Sequence, residues 1–151
     1  MKYKFLQKKI NANDTKNINK LLSQLSSKSK NITENELRHI YEQECMNLMI
    51  ARDESQASEP IIGMASIIFY TITTGPKAII EDVVVDEFYR NRGVGRMLVE
   101  KLITIAKSKN VAYIDLTSSP ARVSANNLYK KLGFIQRTTN VYRLDLQRVI
   151  K

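Results

Sequence analysis

The sequence predicts an α/β fold with a mixed sheet. Residues 78–117 are predicted as strand, loop, helix and strand. This is a βαβ unit, which implies two parallel strands joined by a right-handed crossover. Two apolar segments after the last predicted helix indicate an added antiparallel pair. The chain has 151 residues, 43% of them hydrophobic, which suits one compact domain over residues 1–151.

The N-terminal third is predicted as a strand followed by two helices. Residues 3–9 alternate loosely between apolar and polar side chains, which is typical of a strand. Asp14 is predicted to cap the first helix, whose apolar face repeats at helical spacing. Thr33 and Glu36 have the spacing of a capping box at the start of the second helix. The apolar stripe of that helix extends to Cys45, so we expect its thiol to be buried.

The middle of the chain is predicted as three strands. They cover residues 47–52, 61–70 and 78–85, with a polar turn region at 53–60 and a loop at 71–77 that holds a Gly-Pro pair. The third of them is apolar on both faces, as expected of a strand that is covered on both sides.

The C-terminal part is predicted as alternating helices and strands. In order, we expect a helix over 94–109, a strand over 111–117, a helix that starts at Ser119 and ends at Gly133, and strands over 134–137 and 140–146. Ser119 would be the N-cap of its helix because a proline follows it at the first helical position.

Composition excludes several classes of protein. A single Cys and a single His rule out an internal disulfide framework, a four-cysteine zinc site and multi-histidine metal sites, so we expect no metal. No apolar run approaches the roughly 18 residues that span a bilayer, and the N-terminus lacks the features of a secretory signal. We therefore expect no membrane contact and a cytoplasmic location.

The charge balance favours an anionic partner. Lys and Arg number 24 against 15 Asp and Glu, a formal net charge of +9. Nucleic acid, an acidic surface and a phosphorylated cofactor all fit such an excess, and so does a merely solvated basic surface. Aromatic residues are only 7% of the chain and no nucleic-acid-binding signature is present, which disfavours nucleic acid.

The turn after the predicted strand 78–85 has the features of an anion site. Gly93 and Gly95 precede and open a helix, where free backbone N–H groups and the helix dipole attract anions. Arg90, Arg92 and Arg96 add positive charge around the turn. Neither a P-loop nor a complete dinucleotide-binding fingerprint is present. A Gly-x-Gly pair alone is also compatible with a purely structural turn.

Two motifs carry a family resemblance. Arg90-x-x-Gly93-x-Gly95 resembles the acyl-CoA pyrophosphate loop of the GNAT-type N-acetyltransferase superfamily. Residues 126–134, Asn-Asn-Leu-Tyr-Lys-Lys-Leu-Gly-Phe, are similar to the Asn-x-x-Tyr-x-x-x-Gly-Phe segment of that family. The strand over residues 80–86 is similar to its central strand, so the resemblance covers nearly the whole chain.

The resemblance implies a fold, a reaction and a cofactor site. The GNAT fold has a mixed central sheet with splayed parallel strands and about four flanking helices. The reaction is direct transfer of an acetyl group from acetyl-CoA to a primary amine in a ternary complex, without a metal. The residues that would contact the coenzyme are Val83, Val84, Val85, Arg90, Asn91, Arg92, Gly93, Val94, Gly95, Arg96 and Asn126.

The chemistry requires a base and an acid. An amine of pKa near 10.4 is almost fully protonated at pH 7, and removing its proton costs about 4.6 kcal/mol, so a base must be close. The resemblance favours Glu81 as this base, with Asp82 as a substrate-binding carboxylate or an alternative base. It gives Tyr129 the role of proton donor to the departing thiolate. Purely structural roles remain open for all three.

The acceptor is left open by the sequence. Ser118, Arg122 and Tyr142 are candidate substrate-binding residues, against the alternatives of capping or packing roles. In the family the first two helices and the segment 71–77 shape the acceptor site. Protein amines, aminoglycosides, polyamines and amino acids all remain possible acceptors, and a homodimer is possible. Two other functions stay open: a basic nucleic-acid-binding module, and a GNAT-like protein that binds CoA but has lost catalysis.

Overall fold

The structure is a computed structural model that describes residues 1–5 and 11–146. Within these residues five strands form one sheet in chain order, and the chain also forms four helices. The strands are β1 (Lys2–Phe5), β2 (Met46–Arg52), β3 (Ile61–Ile72), β4 (Gly75–Val85) and β5 (Ile114–Leu116). The helices are α1 (Ala12–Leu25), α2 (Glu34–Tyr41), α3 (Val94–Ser108) and α4 (Val123–Lys131). Residues 6–9 of the first predicted strand lie outside the described residues.

The sheet is mixed, as predicted. Strands β1 to β4 pair antiparallel with their neighbours, whereas β4 and β5 are parallel and are connected through α3. This confirms the βαβ unit and the α/β class.

The helix starts differ in part from the predictions. Asn11, not Asp14, caps α1: its side chain accepts a hydrogen bond from the Asp14 amide at 2.9 Å. Asp14 instead lies in the first turn, where it is buried and forms an ion pair with Arg52 at 2.6 Å. The capping box of Thr33 and Glu36 at α2 is confirmed.

Helices α1 and α3 cover opposite faces of the sheet. Met64 packs in a buried cluster with Ile18 of α1. The adjacent Gly63 faces α3, where a Cβ atom would lie 3.2 Å from side-chain atoms of both Val94 and Leu98. Since successive strand residues point to opposite faces, the two helices sandwich the centre of the sheet.

Strands β3 and β4 form a longer hairpin than the sequence predicts. The segment 71–77 is not a loop, because β3 continues to Ile72 and β4 begins at Gly75. Gly75 adopts a φ of 109°, which accommodates the tight turn. Pro76 cannot donate a hydrogen bond, but its carbonyl accepts one from the Ala112 amide.

Cys45 is exposed, so the prediction of a buried thiol is wrong. Helix α2 ends at Tyr41. The apolar stripe of the helix therefore stops before Cys45, which lies in the turn that leads to β2.

The C-terminal part contains less regular structure than predicted. Strand β5 has only three residues, and α4 begins at Val123 rather than Ser119, whose hydroxyl instead accepts a hydrogen bond from the Ala121 amide. Residues 134–137 and 140–146 are not strands. Apart from Phe134, their apolar side chains are exposed, and among the described residues no strand pairs with them. Alternating polarity without a pairing strand does not produce a sheet.

The chain divides into two compact units, one of residues 1–117 and one that begins at Ser118. Over the described ranges, no helix is long and apolar enough to cross a membrane. In the same ranges, no group of three or more His, Cys, Asp or Glu side chains is arranged to hold a metal ion.

Candidate active site

A bulge in β4 shapes the site in the first unit. Met64 pairs with Val84, and Ser66 pairs with Glu81, so one residue of β3 between the two pairs faces two residues of β4. The first of these two, Asp82, has a φ of 53°, in the left-handed region. A bulge of this kind adds one residue to a strand and reverses its alternation beyond that point.

Beyond the bulge, one edge of β4 is open. Strand β5 pairs with β4 only over residues 78–80, and no described strand pairs with that edge over residues 81–85. The Asp86 amide donates to the Ile62 carbonyl, toward β3. Because strand amides alternate in direction, the amides and carbonyls of Val85 and Val83 point to the open edge. This is the splayed arrangement that the resemblance implies.

The open edge leads directly into a loop with exposed backbone donors. A 3-10 helix spans Glu87–Tyr89, Asn91 and Gly93 have positive φ values of 61° and 79°, and α3 then begins. Gly93 occupies the N-cap of α3 without a side-chain cap. The first amides of α3 have no acceptor within the helix, and they carry the positive end of its dipole. The loop is therefore equipped to bind an anion.

The three arginines of the loop have different partners. Arg90 turns back onto the protein, where its Nε donates to the Val85 carbonyl at 3.2 Å. Arg92 lies over the ring of Tyr89 at 5.3 Å from its centroid. Arg96 pairs with Glu100 on the surface of α3 at 2.8 Å. All three arginines are exposed residues, but Arg90 has a partly structural role that the sequence does not indicate.

The buried side chain of Val94 limits what this residue can do. Val94 is only 1% exposed and faces the core between α3 and β3. Only its backbone amide is placed at the start of α3. Likewise, the buried side chain of Val84 belongs to the core cluster that includes Met64.

Helix α1 supports the start of the loop. Lys20 forms an ion pair with Asp86 at 2.6 Å, and the Gln24 side chain accepts from the Glu87 amide at 2.9 Å and from Arg90 at 3.4 Å. Asp86 is only 3% exposed. Burial alone would raise the pKa of Asp86, but hydrogen bonds from Lys20 and the Phe88 amide outweigh it, so its pKa is lowered.

Two carboxylates lie at the bulge. Glu81 is half-buried and pairs with Ser66, so its side chain is on the face of the sheet that α1 covers. Asp82 is in contact with solvent, yet the protein around it raises its pKa by desolvation. The structure therefore brings both candidate carboxylates to the point where β4 and β5 separate.

The second unit holds Tyr129 and Asn126 on α4. Tyr129 is 8% exposed, and its ring packs edge-to-face on Phe134 at 5.9 Å. Desolvation raises the pKa of Tyr129, against a smaller opposing effect of the charge on Arg122. Asn126 donates to the Ser119 carbonyl at 2.9 Å, which fixes the turn before α4.

Two further predicted residues have contrasting environments. The Ser118 hydroxyl is buried and has no hydrogen-bond partner among the described residues. Tyr142 is 87% exposed, and its hydroxyl accepts a hydrogen bond from Asn140. Tyr142 therefore does not pack into the core of the described structure.

Comparison with known proteins identifies the family. The family model described as the Acetyltransferase (GNAT) family matches residues 16–134. This range contains the open edge of β4, the loop between β4 and α3, and the whole of α4. The chain belongs to the GNAT family.

Similar proteins include one matched by sequence and two solved structures that share the fold. The chain is 38% identical over 94 residues to a glucosamine 6-phosphate N-acetyltransferase of Trypanosoma brucei brucei. That match covers 60% of this chain and 61% of the relative, so the chain spans less than two thirds of that relative's length. A solved acetyltransferase of Trypanosoma brucei is 26% identical with a TM-score of 0.79, over 96% of this chain and 99% of the other. The glucosamine-6-phosphate N-acetyltransferase of Arabidopsis thaliana shares the fold, with a TM-score of 0.77 at 22% identity over 95% and 99% of the two chains.

The sequence predicts the loop between β4 and α3 but not the side chains that support it. Lys20 and Gln24 lie more than 60 positions before the loop, on the polar side of an otherwise ordinary amphipathic helix. Asp53 and Gln56, which bond to Tyr89, fall in a segment predicted only as a turn. No local pattern distinguishes these residues, because each acts through a contact that only the fold creates.

Proposed function

We propose that this GNAT protein transfers the acetyl group of acetyl-CoA to the amine of a small phosphorylated amino sugar, with glucosamine 6-phosphate as the first candidate. The open edge of β4 that runs into the anion loop is the observation that carries the coenzyme assignment. The acceptor assignment rests on the 38% identity to the trypanosomal glucosamine 6-phosphate enzyme. The net charge of +9 suits two anionic substrates.

In this proposal β4 and the loop between β4 and α3 bind the coenzyme. The backbone of Val83 and Val85 pairs with the pantetheine arm along the open edge. The amides of the loop hold the diphosphate, with contributions from the following residues: Arg90, Asn91, Arg92, Gly93, Val94, Gly95 and Arg96. Val84 acts indirectly, because its buried side chain fixes the strand. We propose Asn126 as a further coenzyme contact because it belongs to the Asn-x-x-Tyr-x-x-x-Gly-Phe motif.

Starting from the protonated amine, the transfer requires two protons to leave the nitrogen, one before it attacks and one from the tetrahedral intermediate, and one proton to reach the thiolate. We assign removal of the amine protons to Glu81, directly or through water that passes them to solvent, because its side chain lies on the face of the sheet that α1 covers. The amine nitrogen then forms a bond to the thioester carbonyl carbon, and the carbon–sulfur bond breaks. A backbone N–H of the open edge stabilises the oxyanion, and the Tyr129 hydroxyl protonates the sulfur.

The acceptor residues have less support and are assigned by position. Asp82 lies next to Glu81 and is solvent-accessible, which suits contact with a cationic amine. Ser118 has a buried hydroxyl without a partner in residues 1–5 and 11–146, and we propose that the positive charge of Arg122 contacts a phosphate. For Tyr142 we propose that the side chain contacts the acceptor, rather than packing into the core.

A steady-state assay of CoA thiol release tests the function. Glucosamine 6-phosphate should have a kcat/KM at least about tenfold above that of glucosamine, since charge-assisted hydrogen bonds to a phosphate are strong. Double-reciprocal plots should intersect, as a ternary complex requires, whereas parallel lines would indicate an acyl-enzyme. Equal rates with both sugars, or no turnover with either, would contradict the acceptor assignment.

A binding measurement separates the alternatives. CoA should raise the thermal midpoint by mass action. A shift without turnover on any amine would indicate a GNAT protein that has lost catalysis. No shift at millimolar CoA, together with salt-dependent binding of nucleic acid, would favour a nucleic-acid-binding module.

A further inference from the structure

A polar cluster connects the β2–β3 turn to the loop before α3. The Tyr89 hydroxyl donates to Asp53 Oδ2 at 2.9 Å and accepts from Gln56 Nε2 at 2.5 Å. Asp53 also accepts from the amide and the hydroxyl of Ser55, at 3.1 and 2.6 Å. Residues 53–56 therefore hold the phenol of Tyr89 from a turn more than 30 positions away in the sequence.

The protonation states in this cluster are fixed at neutral pH. The hydrogen bonds from Ser55 and Tyr89 hold the pKa of Asp53 well below its usual range. The same contact with Asp53 raises the pKa of Tyr89. Asp53 is thus an acceptor only, and Tyr89 is a neutral phenol whose proton points at the carboxylate.

The ring of Tyr89 in turn contacts an arginine of the anion loop. The guanidinium carbon of Arg92 lies 5.3 Å from the ring centroid, within the range of a cation–π interaction. A phenol that donates to a carboxylate has an electron-rich ring, which strengthens its attraction for a cation. Among the described residues, Arg92 forms no ion pair with a carboxylate. Its charge therefore remains available beside Gly93 and the free amides of α3.

We propose that Tyr89 is a positioning residue for coenzyme binding, which holds Arg92 at the anion loop while Asp53 holds Tyr89. The inference rests on the proposed function, because it assumes that the loop binds the diphosphate of CoA. The β2–β3 turn then belongs to the support of the coenzyme site, although it is remote from it in sequence. Without this support, Arg92 would have to be ordered at the moment of binding, which lowers affinity.

A double-mutant cycle on CoA affinity tests this role. Calorimetry measures the Kd of CoA for the wild type, Tyr89→Leu, Arg92→Gln and the double variant. Tyr89→Leu should weaken binding by roughly three- to tenfold, the range expected for a cation–π contact and its ordering effect. In the double variant Tyr89→Leu should add little to Arg92→Gln, since the residue that it positions is already gone.

Two further variants separate positioning from general stability. Tyr89→Phe keeps the ring but loses the bond to Asp53, so its effect should be smaller than that of Tyr89→Leu. Tyr70→Phe removes a phenol hydroxyl from β3, outside the site, and should leave the Kd unchanged. In the acetyl-transfer assay, Tyr89→Leu should raise the KM for acetyl-CoA while kcat stays near the wild-type value.

The outcomes distinguish this inference from the proposed function. If the wild type does not bind CoA, the proposed function itself fails. If the wild type binds CoA and Tyr89→Leu binds it equally well, the positioning role is wrong. Fully additive effects of Tyr89→Leu and Arg92→Gln, or a fall in kcat with unchanged KM, would also overturn it.

Discussion

Replacing Asp82 by alanine should destabilise the protein relative to replacement by glycine. Asp82 adopts a φ of 53°, where an L-residue with a Cβ atom clashes with its own backbone and glycine does not. The difference should be about 1–2 kcal/mol, which corresponds to about 2–8 °C in the thermal midpoint of a chain of this size. Thermal and urea unfolding of the two variants at the same pH measure it.

The asparagine variant adds a test of the charge at this position. Asparagine tolerates the left-handed region almost as well as aspartate, so Asp82→Asn changes mainly the charge. The folded-state pKa of Asp82 is raised above its usual value of 3.8. The folded state therefore binds the proton more tightly, and wild-type stability falls as the pH rises from 3.8 through the folded pKa. Asp82→Asn should thus be more stable than the wild type at pH 7. Below pH 3.8 this difference in the free energy of unfolding should disappear.

Alanine and glycine variants at a position on β3 control for the general effect of glycine on the stability of a strand. Thr71 is exposed and has an ordinary strand conformation. There, glycine should be less stable than alanine by about 0.5–1 kcal/mol, the reverse of the order at Asp82. If alanine and glycine are equally stable at Asp82, or follow the order seen at Thr71, the bulge is not present as described.

Three other predictions concern the loop and the exposed thiol. Gly93→Ala should cost about 1–2 kcal/mol in urea unfolding for conformational reasons alone, because φ is 79° and no atom lies within 4 Å of the added Cβ; Gly93→Asn should cost less, and an equal cost would contradict this cause. Lys20→Met should cost about 1–3 kcal/mol at pH 7 because it leaves the carboxylate of Asp86 buried without its ion pair. Since the folded pKa of Asp86 is lowered, that difference should shrink as the pH falls below 3.8, and a constant difference would count against it. Cys45 should react with a thiol reagent at similar rates in native buffer and in urea, since it is exposed; strong protection in native buffer would show otherwise.

The sequence predicts best those parts of the fold that local patterns determine. The βαβ unit and the anion loop follow from an apolar strand, a glycine-containing turn and a helical stripe that are contiguous in the chain. Gly93 is required by its φ of 79°, so the motif and the geometry have the same cause. The capping box of α2 is confirmed for a similar reason, because its two residues lie within one turn.

The errors arise where the structure depends on distant partners. Residues 140–146 alternate like a strand, but in the described structure no neighbouring strand completes their hydrogen bonds. The apolar stripe of α2 wrongly predicts a buried Cys45, because periodicity alone does not show that the helix ends at Tyr41. The contacts of Gln24 and Asp53 with the loop before α3 depend on tertiary packing, and no spacing in the sequence predicts them.

The bulge at Asp82 affects both the core and the candidate site. Neither a local pattern nor the composition of the sequence predicts it. Strand amides alternate, and the amide of Ala78 donates toward β5, to the Tyr113 carbonyl. If β4 were regular, the amide and carbonyl of Val84 would point to this same edge of the strand. The Val84 side chain would then lie on the opposite face of the sheet from Met64. The extra residue instead sends the backbone of Val83 and Val85 to the open edge while Val84 remains in the core. The residue at the strained position is a carboxylate next to Glu81, so the residue that sets the register also places a second carboxylate beside the candidate base.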